Sequence, residues 1–458
     1  MNNLSGMSPG DTAWIIAATA LVLVMTPGLA FFYGGMVRAK SVLNMMMMSF
    51  ITIGIVSFLW VAYGWAEAFG NGSSSIVGII GWSHLGSEVN QLGSNGAVLT
   101  IPTLVFSAFQ LMFAIITPAL ISGAIADRAK FLTWGIFVAL WVTLVYFPVA
   151  HWVFDFGGTT SKGAGWLAAL GVEDFAGGSA VHINAGAAGL ALALVLGKRV
   201  GWKRDPMRPH NIPLVMIGAG LLWFGWFGFN AGSALAANGQ SALAFMNTQV
   251  ATAAGVLGWC LVEKLRDGKA TSLGGASGAV AGLVAITPAC AFIAPWAAIL
   301  LGVLVGMICA YTVGLKYKLG FDDSLDVVGV HMVGGIVGCL FIGFFGTAFT
   351  TSNIDGKTSF TWGVKGLFYG GGGTLLGHQA IGAFSVLAYS FIVTYILGWV
   401  LEKTIGFRVS EEVEVDGIDL GEHGETGYDW STMGGTFGGH STVSVSSGSA
   451  HKDEEVSA

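Results

Sequence analysis

Apolar stretches of about twenty residues alternate along this chain with short polar connections, and each is long enough to cross about 30 Å of hydrocarbon as a helix. Stretches near 13–34, 45–66, 99–124, 131–151, 179–197, 212–232, 247–263, 273–289, 293–315, 327–348 and 380–402 predict eleven transmembrane helices. An odd number puts the two termini on opposite sides. Alternate connections hold Arg38 and Lys40; Arg128 and Lys130; Lys198, Arg199, Lys203, Arg204 and Arg208; Lys264, Arg266 and Lys269; Lys316 and Lys318. With Lys403, Arg408 and Lys452 of the tail, 17 of the 20 basic residues share one side, and only Lys162, Lys357 and Lys365 fall on the other. The positive-inside rule then predicts an N-terminus outside and a C-terminus in the cytoplasm.

Composition changes the picture only by excluding alternatives. With 54% apolar and 10% charged residues, the chain lacks the charged surface of a soluble protein of this size. Its 70 glycines suit close helix packing in a membrane rather than disorder. Cys260, Cys290, Cys309 and Cys339 are scattered through apolar runs without metal-binding spacing and read as buried thiols. The N-terminal segment lacks a basic region and a small-residue cleavage site, so the first helix is expected to stay.

Residues 1–405 therefore read as a transmembrane domain and 406–458 as a cytoplasmic tail. The tail is acidic around EEVEVDGIDLGEHGE, then rich in Gly, Ser and Thr from Ser431 to Ala458, a composition expected to stay partly disordered. Its acidic part suggests regulation or docking, against the blander reading of a solvated terminus.

Two segments share the spacing Asp-x7-His-x3-Gly-x2-Gly: Asp174, His182, Gly186 and Gly189 in the fifth helix, and Asp323, His331, Gly335 and Gly338 in the tenth. By parity the two helices run in opposite directions, so helices 1–5 and 6–10 form an inverted repeat with one extra helix. Eight helical residues rise about 12 Å, which brings both histidines toward the bilayer midplane from opposite faces. A lone intramembrane histidine is most simply a hydrogen-bonded core residue. A symmetric pair points instead to a substrate or proton path, because ionisable groups at membrane depth are costly, and two uncharged imidazoles can pass a proton between ring nitrogens. A metal site normally needs three or more ligands, and the aspartates read better as acceptors for helix starts. Asp174 could also add negative field near an outer mouth.

The run DFAGGSAVHINAGAAGLALALVLGKR, Asp174 to Arg199, closely resembles the signature of the ammonium transporter (Amt/Mep/Rh) family, bacterial Amt type. GWFGFNAGS from Gly225, AGLVAITPAC ending at Cys290, DDSLDVVGVHMVGGIVG from Asp322 and RVSEEVEVDGIDLGEHGETGYD from Arg408 resemble it too. The resemblance covers residues 10 to 430 and implies a homotrimer with one pore per subunit, in the cytoplasmic membrane. Carried over by position, it implies His182 and His331 as the twin pore histidines and Phe113 and Phe229 as a stacked outer gate. Recruitment of the cation would fall to Phe113, Phe154 and Ser233, supported by Asp174, Phe109, Asp323 and Asp326. One position departs from the best-known bacterial pattern: Phe154 stands where a tryptophan usually completes the cation cage, and Trp152 lies two places earlier. A phenyl face attracts a cation less than an indole does.

The resemblance implies ammonium uptake without a cofactor and nitrogen-linked regulation by a PII-type signalling protein. Ammonium would be held outside and deprotonated, and would cross as ammonia with proton co-transfer. The alternatives are a passive ammonia channel, an ammonium sensor acting through its tail, and an alternating-access carrier for an organic cation. No acidic residue placed mid-helix favours the carrier, and no nucleophile and base near the histidines favours an enzyme.

Overall fold

The computed structural model describes residues 6–157, 163–352 and 359–428. Met1–Gly427 forms one compact unit. The Gly, Ser and Thr-rich end from Ser431, with Lys452, and the loop residues Lys162 and Lys357 lie outside the described residues. Among those described, eleven helices are long and apolar enough to cross a membrane. They are α1 Pro9–Met36, α2 Ala39–Phe69, α3 Thr103–Ile125, α4 Phe131–Phe154, α5 Gly178–Leu196, α6 Ile212–Gly232, α7 Gly239–Asp267, α8 Ser272–Ala289, α9 Pro295–Leu319, α10 Val328–Phe345 and α11 Thr374–Thr404.

Their starts follow local chemistry. Ser8 accepts from the Asp11 N–H ahead of α1, Asn211 from Leu214 ahead of α6, Asn238 from Ser241 ahead of α7 and Thr271 from Gly274 ahead of α8. Each satisfies a backbone donor that the first turn leaves without an intrahelical partner. Glycines bring the helices together. On α6, a Cβ at Gly218 would lie 2.3 Å from the Phe32 nitrogen of α1, and one at Gly228 2.7 Å from the Ala18 carbonyl oxygen.

α5 and α10 cross in a reciprocal way. A Cβ at Gly186 would lie 2.5 Å from the backbone nitrogen of Met332, and one at Gly335 would lie 2.8 Å from Ile183 Cγ1. The fourth residue after each histidine thus meets the first residue after the other, as expected of two copies related by an in-plane two-fold.

One expectation is corrected. The residues between each aspartate and its histidine are not all helical: α5 starts at Gly178 and α10 at Val328, so His182 is the fifth residue of its helix and His331 the fourth. The 12 Å depth counted on a continuous helix therefore does not hold. Both starts are wide π-type turns, Gly178–Ile183 and Val328–Met332. Gly177 precedes the first at φ +114°, where a Cβ would also strike Val181.

The connections gather on two faces. On one, the N–H of Ser8 donates to Thr100 and Asn95 to the Phe154 carbonyl. On the other lie the basic loops and the first part of the tail. Residues 406–427 belong to the compact unit and pack on the helices. Lys130 N–H donates to Phe407 O (2.8 Å) and Val409 N–H to Arg128 O (3.0 Å). The Asp419 carboxylate accepts from the N–H groups of Leu43 (3.0 Å) and Asn44 (2.8 Å), and Glu422 from that of Phe131 (2.9 Å). Acidic tail residues thus cap the first turns of α2 and α4, where an anion meets the positive end of a helix dipole.

Candidate functional site

The two histidines meet. His182 Nδ1 lies 3.3 Å from His331 Nδ1, and the rings are 5.4 Å apart at 27°. Both are buried, and His182 Nε2 has no hydrogen-bond partner. Trp226 and Phe229 of α6 stack along His182 at centroid distances of 5.3 and 6.1 Å. Trp226 is itself fixed by its Nε1–H donating to Thr287 Oγ1 (2.8 Å). Its spacing of three residues from Phe229 puts both on one helix face, a signal that was present in the sequence without being used.

Asp174 and Asp323 hold the helix starts that carry these rings. Asp174 accepts from the N–H groups of Gly177 (2.9 Å), Gly178 (2.6 Å), Ser179 (2.7 Å) and Ala180 (3.3 Å), and from Ser179 Oγ (2.5 Å). Asp323 accepts from Val327 (3.1 Å) and Val328 (2.8 Å). Burial pushes the Asp323 carboxyl up from the ordinary carboxylate range, against the pull of Lys316. Asp326, at φ +64°, accepts from Lys316 Nζ (2.6 Å). These two residues stand on the face opposite the Phe154 cavity, and neither lines it.

A cavity of about 470 Å³ opens on the face where α1 begins, lined by Phe113, Phe154, Ser233, Gln110, Asp174 and Glu173 among others. Phe154 lines it, whereas Trp152 turns away to donate to Ile76 O (2.8 Å) and pack on Tyr389. Ser233 Oγ donates to Phe229 O (2.8 Å), which leaves its oxygen lone pairs as acceptors toward the cavity. At the floor, Phe113 and Phe229 stack with centroids 4.3 Å apart and planes at 40°. Phe109 backs Phe113 at 4.9 Å and does not line the cavity.

Beyond that pair comes a chamber of about 10 Å³, the space of one water-sized probe, walled by Met25, Leu29, Trp226, Phe229, His182 and His331. A second of about 10 Å³ follows, sharing His331, Phe32 and Val280 and reaching Asp326 and Ser277. Wide cavity, phenyl pair, an apolar chamber touching both histidines and a second chamber touching His331 and Asp326 thus line up in series. The arrangement has room for a small neutral molecule past the gate and offers an ion no carboxylate there until Asp326.

Eleven long apolar helices enclosing cavities in this order make the chain a multi-pass membrane protein. A model of the Ammonium Transporter Family matches residues 13–428. An ammonium transporter of Mycobacterium tuberculosis (strain ATCC 25618 / H37Rv) is 56% identical over 441 residues, covering 93% of this chain and 92% of the relative. One from Bacillus subtilis (strain 168) is 44% identical over 423 residues, covering 92% and 99%. The crystal structure of Candida albicans Mep2 superposes with a TM-score of 0.76 at 32% identity, covering 89% of this chain and 88% of that one. The chain belongs to the ammonium transporter family.

Proposed function

We propose that this protein takes up ammonium across the cytoplasmic membrane, N-terminus outside, by recruiting NH4+ in the aromatic cavity and conducting NH3 through the histidine chambers with its proton following separately. The observation that carries this reading is the stacked Phe113 and Phe229 pair, with a polar cavity on one side and a chamber holding both histidines on the other. Ammonium and potassium are similar in size, so radius alone does not separate them; directional hydrogen bonding does. Ser233 accepts a hydrogen bond from an ammonium N–H, and Phe113 and Phe154 add cation–π attraction of about 0.5 to 2 kcal/mol. An intact ion in the apolar chambers costs several kcal/mol, so the species that crosses is neutral. The facing Nδ1 atoms, 3.3 Å apart, support a proton relay alongside.

The test is reconstitution in liposomes with ammonium pulses against potassium pulses, for the wild type and for His182→Ala with His331→Ala. The expected result is a current with ammonium alone that is lost or becomes non-selective in the double variant. Transport and potassium exclusion unchanged in that variant would refute the pore role of the histidines. Internal alkalinisation without current would leave an ammonia channel. The reading includes a homotrimer and a PII-type partner at the face formed by the basic loops and the tail. Cross-linking in membranes tests the first, and pull-down at varied ATP and 2-oxoglutarate tests the second; no binding in any nucleotide state would remove that partner.

A further inference from the structure

The cavity above Phe113 holds a second carboxylate that the recruitment site as described leaves out. Its described lining contains no Lys, Arg or His, and its charged members are Asp174 and Glu173. Asp174 is committed to the start of α5 through five hydrogen bonds. Glu173 is not. Its Oε2 is buried without a hydrogen-bond partner, and the Val364 N–H favours the ionised form of the carboxylate. The backbone is held on both sides by one amide: Glu173 N–H donates to Gln379 Oε1 (2.7 Å), and Gln379 Nε2 donates to Glu173 O (2.7 Å). A carboxylate that lines an aromatic cavity without a basic side chain, and has one buried oxygen without a hydrogen bond, is an arrangement that a small cation completes.

We propose that Glu173 is a direct recruiting residue for ammonium in this cavity, accepting an N–H of the cation and supplying the counter-charge that Phe154 provides less strongly than an indole would. The inference rests on the reading of the cavity as the recruitment site. Three N–H donors of ammonium then remain for Ser233 and the cavity's other acceptors, and the phenyl faces of Phe113 and Phe154 screen it from solvent. Burial pushes the Glu173 carboxyl up to about 8, opposed by the Val364 N–H. The titratable groups on the segments around the cavity are Asp174, Asp155 between Phe154 and Phe156 and paired with His151 (3.1 Å), His378 beside Gly171, and Lys365 next to Val364. A proton and an ammonium ion therefore compete for the same carboxylate. The ionised form grows as pH rises toward 8 and above, so apparent affinity for ammonium rises with it, while ammonium itself stays largely protonated over that range.

The experiment is ammonium-driven flux in proteoliposomes, followed by current and by internal pH dye, at pH 6, 7 and 8.5, for wild type, Glu173→Gln, Glu173→Asp, Ser233→Ala and Phe154→Leu. At pH 8.5, Glu173→Gln raises the half-saturating concentration roughly three- to tenfold, as removal of one nearby charge in a partly buried site does; Glu173→Asp falls between. The wild-type value rises as pH drops and converges on that of Glu173→Gln near pH 6, whereas the Gln variant stays flat. Equal half-saturation and equal pH dependence in wild type and Glu173→Gln, with shifts in Ser233→Ala and Phe154→Leu, would overturn the inference and leave the cavity reading standing. A change in maximal flux alone would also overturn it, by making Glu173 a support for the helix start. No shift in any of the four variants would overturn the recruitment site itself.

Discussion

Replacing Asp174 by Asn tests whether one carboxylate carries the turn that presents His182. The wild-type oxygens divide their work: Oδ1 takes Gly177 and Gly178, and Oδ2 takes Ser179 N–H, Ser179 Oγ and Ala180 N–H. Asparagine keeps one acceptor oxygen and sets an NH2 where the other stood. The Ser179 hydroxyl can rotate and accept from it, but two buried N–H groups lose their partner, each at about 1–3 kcal/mol. The lost charge at the dipole end adds up to about 1 kcal/mol. Allowing for overlap, the variant is destabilised by about 3–4 kcal/mol, which lowers the melting midpoint in detergent by roughly 5 °C. Because the His182 N–H bonds to Gly177 O (3.1 Å) in this same turn, misplacing the imidazole lowers ammonium flux about tenfold or more, equivalent to about 1.4 kcal/mol. The assays are thermal unfolding followed by intrinsic fluorescence and flux in proteoliposomes. An unchanged midpoint would refute the assignment of the turn to this carboxylate. A raised half-saturation with an unchanged midpoint would reassign Asp174 to the cation.

Phe229→Ala removes one ring of a pair whose centroids are 4.3 Å apart and joins cavity to chamber; conductance to ions that the wild type excludes is expected in potassium-pulse recordings, and retained selectivity would argue against a phenyl gate. Gly186→Ala drives a Cβ to 2.5 Å from the Met332 nitrogen, costing about 1–3 kcal/mol and lowering both melting midpoint and flux. Asp322 binds Arg199 through Nη2 (2.9 Å) and Nε (2.9 Å) and lies 4.0 Å from Arg128; burial pushes its carboxyl up, but Arg199 and Arg128 outweigh this and hold it below its ordinary value. An acid with a depressed folded value contributes stability that is present above its unfolded value and lost as pH falls through the folded one. Acid unfolding below about pH 4 is therefore expected to be steeper in wild type than in Asp322→Asn, by thermal melts across pH. Glu414→Ala unties the tail, since Glu414 accepts from Val200 N–H (2.6 Å) and pairs with Arg408 (2.7 Å); faster proteolysis within 406–427 is the expected readout.

The helices were legible because a membrane span is a length of apolar chain and little else. Where the reading fell short, polar residues had extended a helix. α1 begins at Pro9, ahead of the apolar run, because Ser8 and Pro9 form its start. α7 begins at Gly239 after the Asn238 cap, eight residues before the stretch the hydropathy outlined. Of the residues carried over by position, Phe113, Phe154 and Ser233 line one cavity, Phe113 meets Phe229, and His182 meets His331. Phe109 backs the gate without lining the cavity, and Asp323 and Asp326 lie on the other face. Glu173 was overlooked because the aspartate beside it absorbs the motif. The acidity of the tail was plain, but partners such as Phe131 for Glu422, Asn44 for Asp419 and Val200 for Glu414 are distant in sequence, and no local pattern encodes such a contact.

The spacing from Asp174 to His182, repeated from Asp323 to His331, has a physical reason that a purely helical count hides. Both rings sit on the opening turn of a buried helix, where backbone N–H groups have no intrahelical acceptor and no water to turn to. A carboxylate must come from the chain just before that turn, and residues 174 and 323 are near enough to fold back onto it, at 7% and 1% exposure. The opening turn is wide in both copies, with the His182 N–H reaching back five residues to Gly177. Close packing at Gly186 and Gly335 then brings the two turns together with the Nδ1 atoms face to face. Aspartate, histidine and glycine therefore act as one unit per helix: moving the histidine along α5 or α10 would carry it off the turn that the aspartate satisfies and away from its counterpart.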